Sequence, residues 1–582
     1  MPTLDWIGKD KVINHHQDVP YRVLERQYSF DEQGQHAEDN GSENMVIHGD
    51  NLEALKSLLP RYEGKVKCIY IDPPYNTGNE GWVYNDNVND PKIKKWLGEV
   101  VGREGEDLSR HDKWLCMMYP RLKLLQKLLA EDGVIFISID TNELYNLKSI
   151  CDEIIGSNCF VSDISWQRVY CPRNDSKGIP SEVDHILVYS KTPGWTPERL
   201  ERTADMDDKY SAPDGDINIW TSAPAHAPGA PTHQGMVYAI QHPITGELMY
   251  PPIGRCWTFG QDKMLERISE WNDYELREID DFEKRNEICR GSMPVPTPQK
   301  AIMLVSDSED SRKRSQSRYD AGSWPLLYFT SGGKGGMRCK KYLCDMPGKI
   351  VTNLWHFTEV GHTDEALTEL KKIFGGKVVF DTPKPPRLIE RILQIVGDDN
   401  AIVLDSFAGS GTTAHAVLNM NKADGGNRKF ILVEMMDYAD SITAERVKRV
   451  IQGYGEDKKA VPGTGGSFSY YELGKPLMNG DNLNEEVGLD KIREYIWYTE
   501  TKADFREPDT DKPYYLGSSK HTAYYFFYKP DKVCVLNHEF LSTITVKQDN
   551  YVIYADRCAI SAEDLQKFGI IFKKIPRDIT LL

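Results

Sequence analysis

Several features that define whole classes of protein are missing from this sequence of 582 residues. No apolar run approaches the roughly 18 residues that a membrane-spanning helix needs. The first residues lack the apolar core of a secretion signal, so we expect the protein to remain in the cytoplasm. No segment repeats at the spacing of about 20–50 residues that solenoids and propellers show. These absences favour a globular chain with several domains.

Cysteine is scarce and scattered. The 11 cysteines are an odd number and include no Cys-X-X-Cys pair. Cys339 and Cys344 lie close together, but no second pair follows at the spacing of a zinc site. We therefore predict reduced thiols that mostly fill the core, and no metal centre.

An excess of positive charge is also absent. Lys and Arg total 71 against 88 Asp and Glu, which gives a formal net charge of −17. This balance excludes a protein that holds nucleic acid by bulk charge, although a local basic patch could still do so. Apolar residues make up 40% of the chain, enough for a large buried core.

Short apolar runs alternate with amphipathic segments in two separated parts of the chain. Residues 46–190 could supply about five strands, and residues 400–434 about two. Uninterrupted apolar strands that alternate with helices are typical of a parallel sheet covered on both faces. We predict that the two parts together form one doubly wound α/β sheet.

Between the two parts, the pattern gives way to a stretch rich in Pro, Gly, Trp and Tyr. We expect this stretch to fold as an irregular α+β insert, and the glycine-rich segment after Gly453 to act as a linker. The predicted divisions are an N-terminal extension (1–44), one half of the sheet domain (45–167), the insert (168–350), the other half (351–453) and a C-terminal domain (454–582).

The first chemical landmark is Asp72-Pro73-Pro74-Tyr75, at the end of a predicted strand. Prolines lack an amide hydrogen and restrict the backbone, so the Asp72 carboxylate and the Pro73 carbonyl would present two acceptors in fixed geometry. Two acceptors suit the hydrogens of a planar exocyclic amine, and Tyr75 offers a ring for stacking on an extruded base. The alternative is a Pro-Pro turn that only closes a strand.

The second landmark is a glycine-rich turn between a buried strand and a helix, from Val403 to Thr413. Glycine lets a ligand approach the backbone where a strand becomes a helix. The turn has neither the lysine of a P-loop nor the glycine spacing of a dinucleotide site. The next strand ends at Glu434, whose carboxylate could accept hydrogen bonds from ribose hydroxyls. An ordinary turn followed by a surface glutamate is the alternative.

These segments resemble a known family. The glycine-rich turn with an acid on the following strand resembles the S-adenosyl-L-methionine site of amino-methyltransferases, and Asp-Pro-Pro-Tyr resembles their catalytic motif. The order of motif, insert and turn resembles the β class of DNA adenine-N6 methyltransferases. Residues 47–86, 360–374 and 380–393 resemble the modification (Mod) subunits of type III restriction–modification systems, and the resemblance covers 45–190 and 350–452.

The resemblance implies a Rossmann-like methyltransferase sheet, circularly permuted, in which the insert is the target-recognition domain. It implies S-adenosyl-L-methionine as the cofactor, with no metal required for transfer. Asp72, Pro73, Pro74 and Tyr75 would be catalytic. The residues implied for cofactor binding are Asp50, Thr382, Lys384, Asp405, Phe407, Gly409, Ser410, Gly411, Thr412 and Glu434.

Within this set the resemblance suggests individual roles. Asp50 would contact the adenine of the cofactor, Glu434 the ribose, and Lys384 would lie near the methionine carboxylate. Asp405 would orient the turn or the methionine end. A strand-end cap at Asp50 and a proline-rich bend at Lys384 are the alternatives. Trp166 and Tyr170 are candidates for the far wall of the base pocket, although buried aromatic residues more often belong to the core.

A basic segment interrupts the acidic chain at 311–349, where nine Lys and Arg stand against two Asp. Such side chains among Ser, Gly and aromatic residues suit contact with phosphates, although a solvated loop would have the same composition. The residues expected to bind DNA are Arg312, Lys313, Arg314, Lys334, Arg338, Lys340 and Lys341. Residues 481–512 carry ten acids and five bases, and we expect them to mediate dimerisation or partner docking instead.

We therefore predict a site-specific methyltransferase for the N6 amine of a flipped adenine in double-stranded DNA. The implied partners are a second copy of the chain and a helicase–nuclease restriction subunit, because no Walker lysine is present here. The alternatives are cytosine-N4 methylation, a solitary adenine methyltransferase, a non-catalytic recognition subunit, and a methyltransferase for RNA or a protein glutamine. Asp in the first motif position favours adenine, since cytosine enzymes of this type usually carry Ser.

Overall fold

The computed structural model describes residues 3–77, 95, 98–99, 110–171, 178–292, 300–457, 460–479, 482–503, 505–508, 512–576 and 579. The chain divides into two compact units. One unit combines Met1–Glu198 with Val351–Leu582, and the other is Arg199–Ile350. The chain therefore leaves the first unit once and returns to it.

The first unit is built around a sheet that has eleven strands in the described part of the chain. In chain order these strands are β1 (Arg22–Asp31), β2 (Gly34–His36), β3 (Met45–His48), β4 (Val66–Ile71), β5 (Leu129–Ile139), β6 (Phe160–Gln167), β7 (Val183–Ser190), β8 (Leu354–Trp355), β9 (Ile402–Asp405), β10 (Lys429–Glu434) and β11 (Ser467–Pro476).

The spatial order of the sheet is β8-β6-β7-β5-β4-β9-β10-β3-β11-β1-β2. The six strands from β5 to β11 in this order run parallel, and antiparallel strands flank them on both sides. Strands β4, β9 and β10 are almost wholly buried, as parallel strands covered on both faces should be. The predicted α/β sheet, assembled from two separated parts of the chain, is confirmed.

Helices connect these strands, and their apolar faces pack on the sheet. Leu52, Leu55, Leu58 and Leu59, which the sequence places on one face of a helix, are all buried. None of the helices in the described ranges is both long and apolar enough to cross a membrane. The helices of this unit are Lys9–Val12, His15–Asp18, Asn51–Tyr62, Arg110–Leu128, Leu144–Cys151, Phe357–Val360, Thr363–Ile373, Pro386–Val396, Thr412–Asp424, Glu445–Gln452, Leu489–Thr501, His538–Ser542 and Ala562–Lys567.

The order of the sheet reverses between β4 and β9. From β4 the chain proceeds through a helix to β5 on one side, and from β9 through a helix to β10 on the other. In an open parallel sheet such a reversal leaves a crevice at the carboxyl ends of the two strands. Asp72 follows β4 and the glycine-rich turn follows β9, so both landmarks lie at this crevice.

The division of the chain differs from the expected boundaries in three places. Strands β1 and β2 belong to the predicted extension, and β11 to the predicted C-terminal domain, yet all three join the main sheet. Strand β7 falls within the predicted insert, whose compact unit begins at Arg199. The outer strands mix polar with apolar residues and lack the continuous apolar run that identifies a central strand.

The second unit, Arg199–Ile350, has short strands, four helices in its described part, and its own apolar core. The core is rich in aromatic residues, including Trp220, Tyr238, Trp257, Trp271 and Phe329. Its strands are Trp220–Pro224, His226–Pro228, Ile240–Gln241, Leu248–Met249, Arg255–Trp257, Tyr274–Arg277, Ala301–Leu304, Leu327–Phe329 and Met337–Tyr342, and its helices are Ala204–Asp207, Gln261–Ile268, Phe282–Ile288 and Glu309–Asp320. This is the α+β composition that the sequence predicts.

The last part of the chain adds a smaller sheet to the first unit. Its strands, in spatial order, are Tyr515–Ser519, Thr522–Phe526, Asn550–Ala555 and Ile570–Lys574. The last three run parallel, and a separate apolar cluster lies beneath them.

Candidate active site

The Asp72–Tyr75 corner is held rigidly where β4 ends. The indole nitrogen of Trp114 donates to the Pro74 carbonyl at 2.6 Å. Within the described residues no donor reaches the Pro73 carbonyl, which therefore remains an open acceptor beside Asp72. Asn76 follows with a φ of 58° and is fully buried against Glu143. The left-handed backbone conformation of Asn76 and the hydrogen bond from Trp114 together fix the orientation of the corner.

Lys384 lies directly against this corner. Its ammonium is in contact with Asp72 Oδ2 and lies 5.0 Å from the centre of the Tyr75 ring. The resemblance places Lys384 near the methionine carboxylate of a cofactor, whereas in this structure its partner is Asp72. Thr382 lines the same pocket, and the helix Pro386–Val396 begins just after Lys384.

The glycine-rich turn is shaped by two buried carboxylates. Asp405 Oδ1 accepts from the Phe407 amide at 3.0 Å, and Asp405 Oδ2 accepts from the Thr413 hydroxyl at 2.6 Å. Glu434 Oε2, at the end of β10, accepts from the Gly409 amide at 2.8 Å. These bonds fold the backbone back toward the carboxyl ends of the strands.

Glycine is required at the end of this turn. Gly411 has a φ of 82°, and a Cβ built there would lie 2.9 Å from the backbone oxygen of Thr443. Any larger residue would strain the backbone and collide with the chain. The helix Thr412–Asp424 starts immediately afterwards.

The corner and the turn line one pocket of about 250 Å³. Ten of the residues implied by the motifs line it: Asp72, Pro73, Tyr75, Thr382, Lys384, Asp405, Phe407, Gly409, Ser410 and Thr412. Pro74, Gly411 and Glu434 do not line it; Pro74 and Glu434 shape its walls through the hydrogen bonds described above, and Gly411 does so through its left-handed backbone.

Asp50 lies outside the lining of the pocket. Its carboxylate accepts from the amides of Leu52 and Glu53 and so caps the helix Asn51–Tyr62. It also faces Arg121 at 3.4 Å. The structure thus shows the cap that is the alternative for Asp50, and its contact with the adenine of a cofactor stays a prediction.

The motifs in the sequence did not reveal an acidic and aromatic wall of the pocket. Asp184 on β7 pairs with Arg168 at 2.8 Å, and both line the pocket with Asp140 and Phe380. Their signal in the sequence is weak, because each is a single charged or aromatic residue outside any motif. Trp166 lines the pocket and donates to the Gly361 carbonyl at 3.0 Å.

Tyr170 does not line the pocket. Its side chain is 61% exposed, and its ring packs near His362 with centroids 5.4 Å apart. Of the two aromatic residues proposed for the far wall, only Trp166 is therefore in place.

Burial changes the ionisation of the carboxylates at the site. It raises the pKa of both Asp405 and Glu434 to about 7, against the opposing effect of their hydrogen bonds. Burial likewise raises the pKa of Asp184 to about 6, while Arg168 and Lys384 oppose the rise. Near neutral pH these carboxyl groups are poised between their neutral and charged forms.

A buried arginine supports the turn from behind. Arg446 is fully buried, and one of its terminal nitrogens donates to the hydroxyls of Ser410 at 2.9 Å and Thr412 at 2.7 Å. Burial lowers its pKa to about 10. Within the described residues no carboxylate lies at ion-pair distance from Arg446. Its positive charge therefore acts on the pocket through hydroxyl groups that line it.

This arrangement fits a ligand that combines an adenosine with an amino acid. Phe380 and Phe407 offer apolar faces, and the turn admits a ligand close to its backbone. Ser410 accepts from Arg446, so its own hydrogen can point toward a carboxylate. Among the described residues no cluster of His, Cys, Asp or Glu could hold a metal ion.

The basic segment of the second unit is only partly exposed. Arg314, Lys334 and Lys341 are exposed. Arg312 pairs with Asp307 at 2.7 Å, Lys313 with Glu309 at 2.8 Å, and Arg338 donates to Ser222. These pairs leave fewer free cations than the composition suggests.

The expectation that Lys340 binds DNA is wrong for this structure. The Lys340 side chain is 0% exposed, and its ammonium lies 2.6 Å from both Asp214 and Asp216. Side chains alternate along the strand Met337–Tyr342, so Lys340 points inward where Lys341 points outward. Counting charges along the sequence could not distinguish the two.

Comparison with known proteins assigns a family to this fold. A family model described as DNA methylase matches residues 66–445. The Mod subunit of the type III restriction-modification enzyme StyLTI from Salmonella typhimurium is 31% identical over 500 residues, covering 81% of this chain and 66% of that protein. The type II methyltransferase M.KpnI from Klebsiella pneumoniae is 30% identical, covering 68% of this chain and 81% of its own.

The Mod subunits are longer than the matched region. The EcoP15I Mod subunit of Escherichia coli is 30% identical over 484 residues, covering 78% of this chain and 66% of its own length. The chain thus spans a little under two thirds of the Mod subunits that it matches.

Solved structures also align with the chain. The structure of TTHA0409, a DNA modification methylase from Thermus thermophilus, in complex with S-adenosyl-L-methionine has 13% identity and a TM-score of 0.29, covering 74% of this chain and 99% of its own. The PvuII cytosine-N4-specific DNA methyltransferase has 13% identity and a TM-score of 0.30, covering 70% and 86%.

The raised pKa of Asp405 predicts how stability depends on pH. An unfolded Asp titrates near 3.8, whereas the folded group titrates at about 7. The folded state therefore holds the proton more tightly, and stability is lost as pH rises from about 4 to about 7. We expect the melting temperature of Asp405→Asn relative to the wild type to rise over this range, measured by scanning fluorimetry. Parallel melting curves at all pH values would contradict the assignment.

Arg446 is expected to favour a ligand that carries a carboxylate. Arg446→Gln should weaken the binding of S-adenosyl-L-methionine about tenfold, because it removes the positive charge that polarises the Ser410 hydroxyl toward a carboxylate. It should leave the binding of 5′-methylthioadenosine, which lacks the carboxylate, nearly unchanged in calorimetric titrations. Arg446→Lys keeps the charge and should weaken binding less. An equal effect on both ligands would show that Arg446 only maintains the fold.

Proposed function

The chain belongs to the DNA methylase family of N6 and N4 methyltransferases, and on this premise we propose that it methylates the N6 amine of adenine in double-stranded DNA. The observation that carries the proposal is the single pocket lined by both the Asp72–Tyr75 corner and the glycine-rich turn. A pocket of this kind can hold an amine acceptor and a methyl donor next to one another.

The donor in this proposal is S-adenosyl-L-methionine. When bound, it supplies a methyl group on a sulfonium; the amine nitrogen bonds to that methyl, sulfur keeps the electron pair of the broken bond, and one amine proton is released. Residues of the glycine-rich turn would hold the cofactor, with the Ser410 hydroxyl toward its carboxylate, because the Thr412 hydroxyl already donates to the Lys384 carbonyl. Phe407 would pack on its apolar surface.

Asp72 and the Pro73 carbonyl would accept the two hydrogens of the target amine. Accepting both hydrogens leaves the nitrogen lone pair available for attack. Because the Lys384 ammonium already contacts Asp72, we assign Asp72 the role of an orienting acceptor, and the released proton passes to solvent. Lys384 also holds the Asp72 carboxylate in place while that carboxylate accepts a hydrogen bond from the target amine.

The target base would enter between aromatic side chains. Tyr75 and Trp166 line the pocket and can stack on an extruded base, which offsets the few kcal/mol of unstacking. Adenine is favoured over cytosine because the motif begins with Asp72, where cytosine enzymes of this type usually carry Ser. Cytosine-N4 methylation remains the alternative reaction for the same pocket.

We extend the proposal to the assembly in which the chain works. Several of its relatives are Mod subunits of type III restriction–modification enzymes. We infer that this chain is such a modification and recognition subunit, acts as a homodimer on DNA in the cytoplasm, and serves a helicase–nuclease restriction subunit. The acidic stretch 481–512 is our candidate for these protein contacts.

Two experiments test the proposed reaction: identification of the methylated base, and the effect of replacing Asp72. Cells that express the wild-type chain should contain N6-methyladenine in one sequence context, measured by mass spectrometry of nucleosides and single-molecule sequencing. Asp72→Asn should lower the transfer rate at least about a hundredfold, because it removes the charged acceptor. Binding of S-adenosylhomocysteine should be retained in calorimetric titrations.

The matched control is Asp163→Asn, since Asp163 lies on β6 outside the pocket and pairs with His185. This variant should transfer methyl groups at the wild-type rate. Detection of N4-methylcytosine in place of N6-methyladenine would overturn the choice of base. Undiminished transfer by Asp72→Asn would overturn the role of the corner.

DNA binding is expected to depend on the exposed cations of the second unit. The triple variant Arg314→Ala, Lys334→Ala, Lys341→Ala should weaken binding and reduce the salt slope by about 0.9 for each phosphate that the protein no longer neutralises. Binding to a labelled duplex is measured at several salt concentrations. Lys263→Ala, an exposed lysine on the helix Gln261–Ile268, serves as the matched control.

Lys340→Ala should behave differently from these variants. It leaves Asp214 and Asp216 without their buried cation, so it should lower the melting temperature while leaving the salt slope of the folded protein unchanged. If the triple variant of Arg314, Lys334 and Lys341 binds DNA with the wild-type salt slope, the DNA-binding surface lies elsewhere.

A further inference from the structure

A second cleft lies in the C-terminal part of the chain, within residues 512–545. Its volume is about 820 Å³, which falls in the range of small-molecule sites. All of its lining residues come from this segment, and none belongs to the pocket at β4 and β9. The proposed methyltransferase activity does not use this cleft.

Aromatic rings form one side of the cleft. Phe527 and Phe540 stack with their centroids 4.0 Å apart, and Tyr514 packs edge-on to Phe527 at 4.9 Å. Tyr514 and Phe527 are only half-buried, so part of each ring remains accessible. Accessible aromatic surface of this kind provides a stacking platform for a planar group.

Lysines form the rim of the same cleft. Lys512, Lys529 and Lys532 are all exposed and line it, and Glu539 is the acidic residue among the lining side chains. The Lys529 ammonium lies 5.8 Å from the Tyr514 ring. In a chain of net charge −17, this local excess of positive charge favours a ligand with negative charge.

Tyr525 provides an independent indication of a ligand. Its side chain lines the cleft and is 5% exposed, and its hydroxyl has no hydrogen-bond partner within the described residues. A buried hydroxyl without a partner is unfavourable by about 1–3 kcal/mol. A ligand that reaches the floor of the cleft with a polar edge would supply the missing partner.

From these observations we propose that the C-terminal cleft binds a nucleoside phosphate. The base would stack on the half-buried rings and present its polar edge to Tyr525, and the phosphate would lie among the rim lysines. The ligand is either a free nucleotide or a nucleotide of single-stranded nucleic acid, since both combine a planar base with a phosphate.

An acidic peptide would also satisfy the lysines, but it fits the rest of the cleft less well. Carboxylate side chains offer no planar apolar group for the aromatic surface of Tyr514 and Phe527. They also reach a buried hydroxyl only by losing hydration. A base brings both the ring and the polar edge, so the nucleotide accounts for all three features of the cleft.

The test measures binding to the full-length protein. Saturating S-adenosylhomocysteine is present to occupy the proposed cofactor pocket. The probes are AMP, ATP, a fluorescent ten-residue oligothymidine and a fluorescent ten-residue oligoglutamate. If a mononucleotide and the oligonucleotide each bind when tested separately, a free nucleotide is a sufficient ligand. Binding of the oligonucleotide alone would identify single-stranded nucleic acid as the source.

Two variants connect any binding to this cleft. Tyr525→Phe should weaken binding about fivefold to tenfold by removing one hydrogen bond, with little change in the melting temperature. Lys529→Ala combined with Lys532→Ala should weaken oligonucleotide binding and reduce its salt slope by about 0.7 for each phosphate that is no longer neutralised. Lys567→Ala, an exposed lysine outside the cleft, is the matched control and should bind normally.

Three results would overturn the proposal. The first is the absence of binding by every nucleotide probe, and the second is nucleotide binding that both cleft variants leave unchanged. The third is binding of the oligoglutamate alone, which would identify the cleft as a docking site for an acidic segment. Methyl transfer by the same variants is measured in parallel, so a failure here is distinguishable from a failure of the proposed methyltransferase activity.

Discussion

The parallel pairing of β4 with β9 is the contact on which the site depends. Val403 lies opposite Cys68 and Leu404 opposite Ile69, in the middle of a buried sheet. Because parallel strands end at the same edge, this register places Asp72 beside Asp405, although more than 300 residues separate them. The chain between them can leave the unit and return without disturbing this geometry. A permuted order of motifs therefore still produces one pocket.

Burial affects the pKa values of the carboxyl groups at this pocket more than ion pairing does. Asp405 and Glu434 hold the turn by accepting hydrogen bonds, and burial raises the pKa of each to about 7. Three cations lie nearby: Lys384 contacts Asp72, Arg168 pairs with Asp184, and Arg446 hydrogen-bonds to hydroxyls and His415 among the described residues. The carboxylates thus shape the backbone, while the cations act on what enters the pocket. This division explains how an acidic chain can hold an anionic group.

Lysine residues have different roles in the second unit and in the C-terminal cleft. In the second unit, Lys340 neutralises two buried carboxylates and stabilises the fold, although the sequence presents it as part of a basic stretch. In the C-terminal cleft, Lys529 and Lys532 are exposed beside half-buried rings, in a part of the chain that is rich in Tyr and Phe. Burial against carboxylates in one place and exposure beside aromatic rings in the other decide between these two roles.

The sequence by itself determined the central strands, the position of the insert, the Asp72–Tyr75 motif and the glycine-rich turn, because these depend on local apolar runs and local backbone restrictions. Only the tertiary structure decided which distant groups meet. It placed Asp184 at the pocket, Arg446 behind the glycine-rich turn, Asp50 on a helix end and Lys340 in the interior. In the tertiary structure, β1 and β11 also pair with the main sheet. These outcomes depend on strand register and burial, which involve residues far apart in the chain and leave no signal in a short window of sequence.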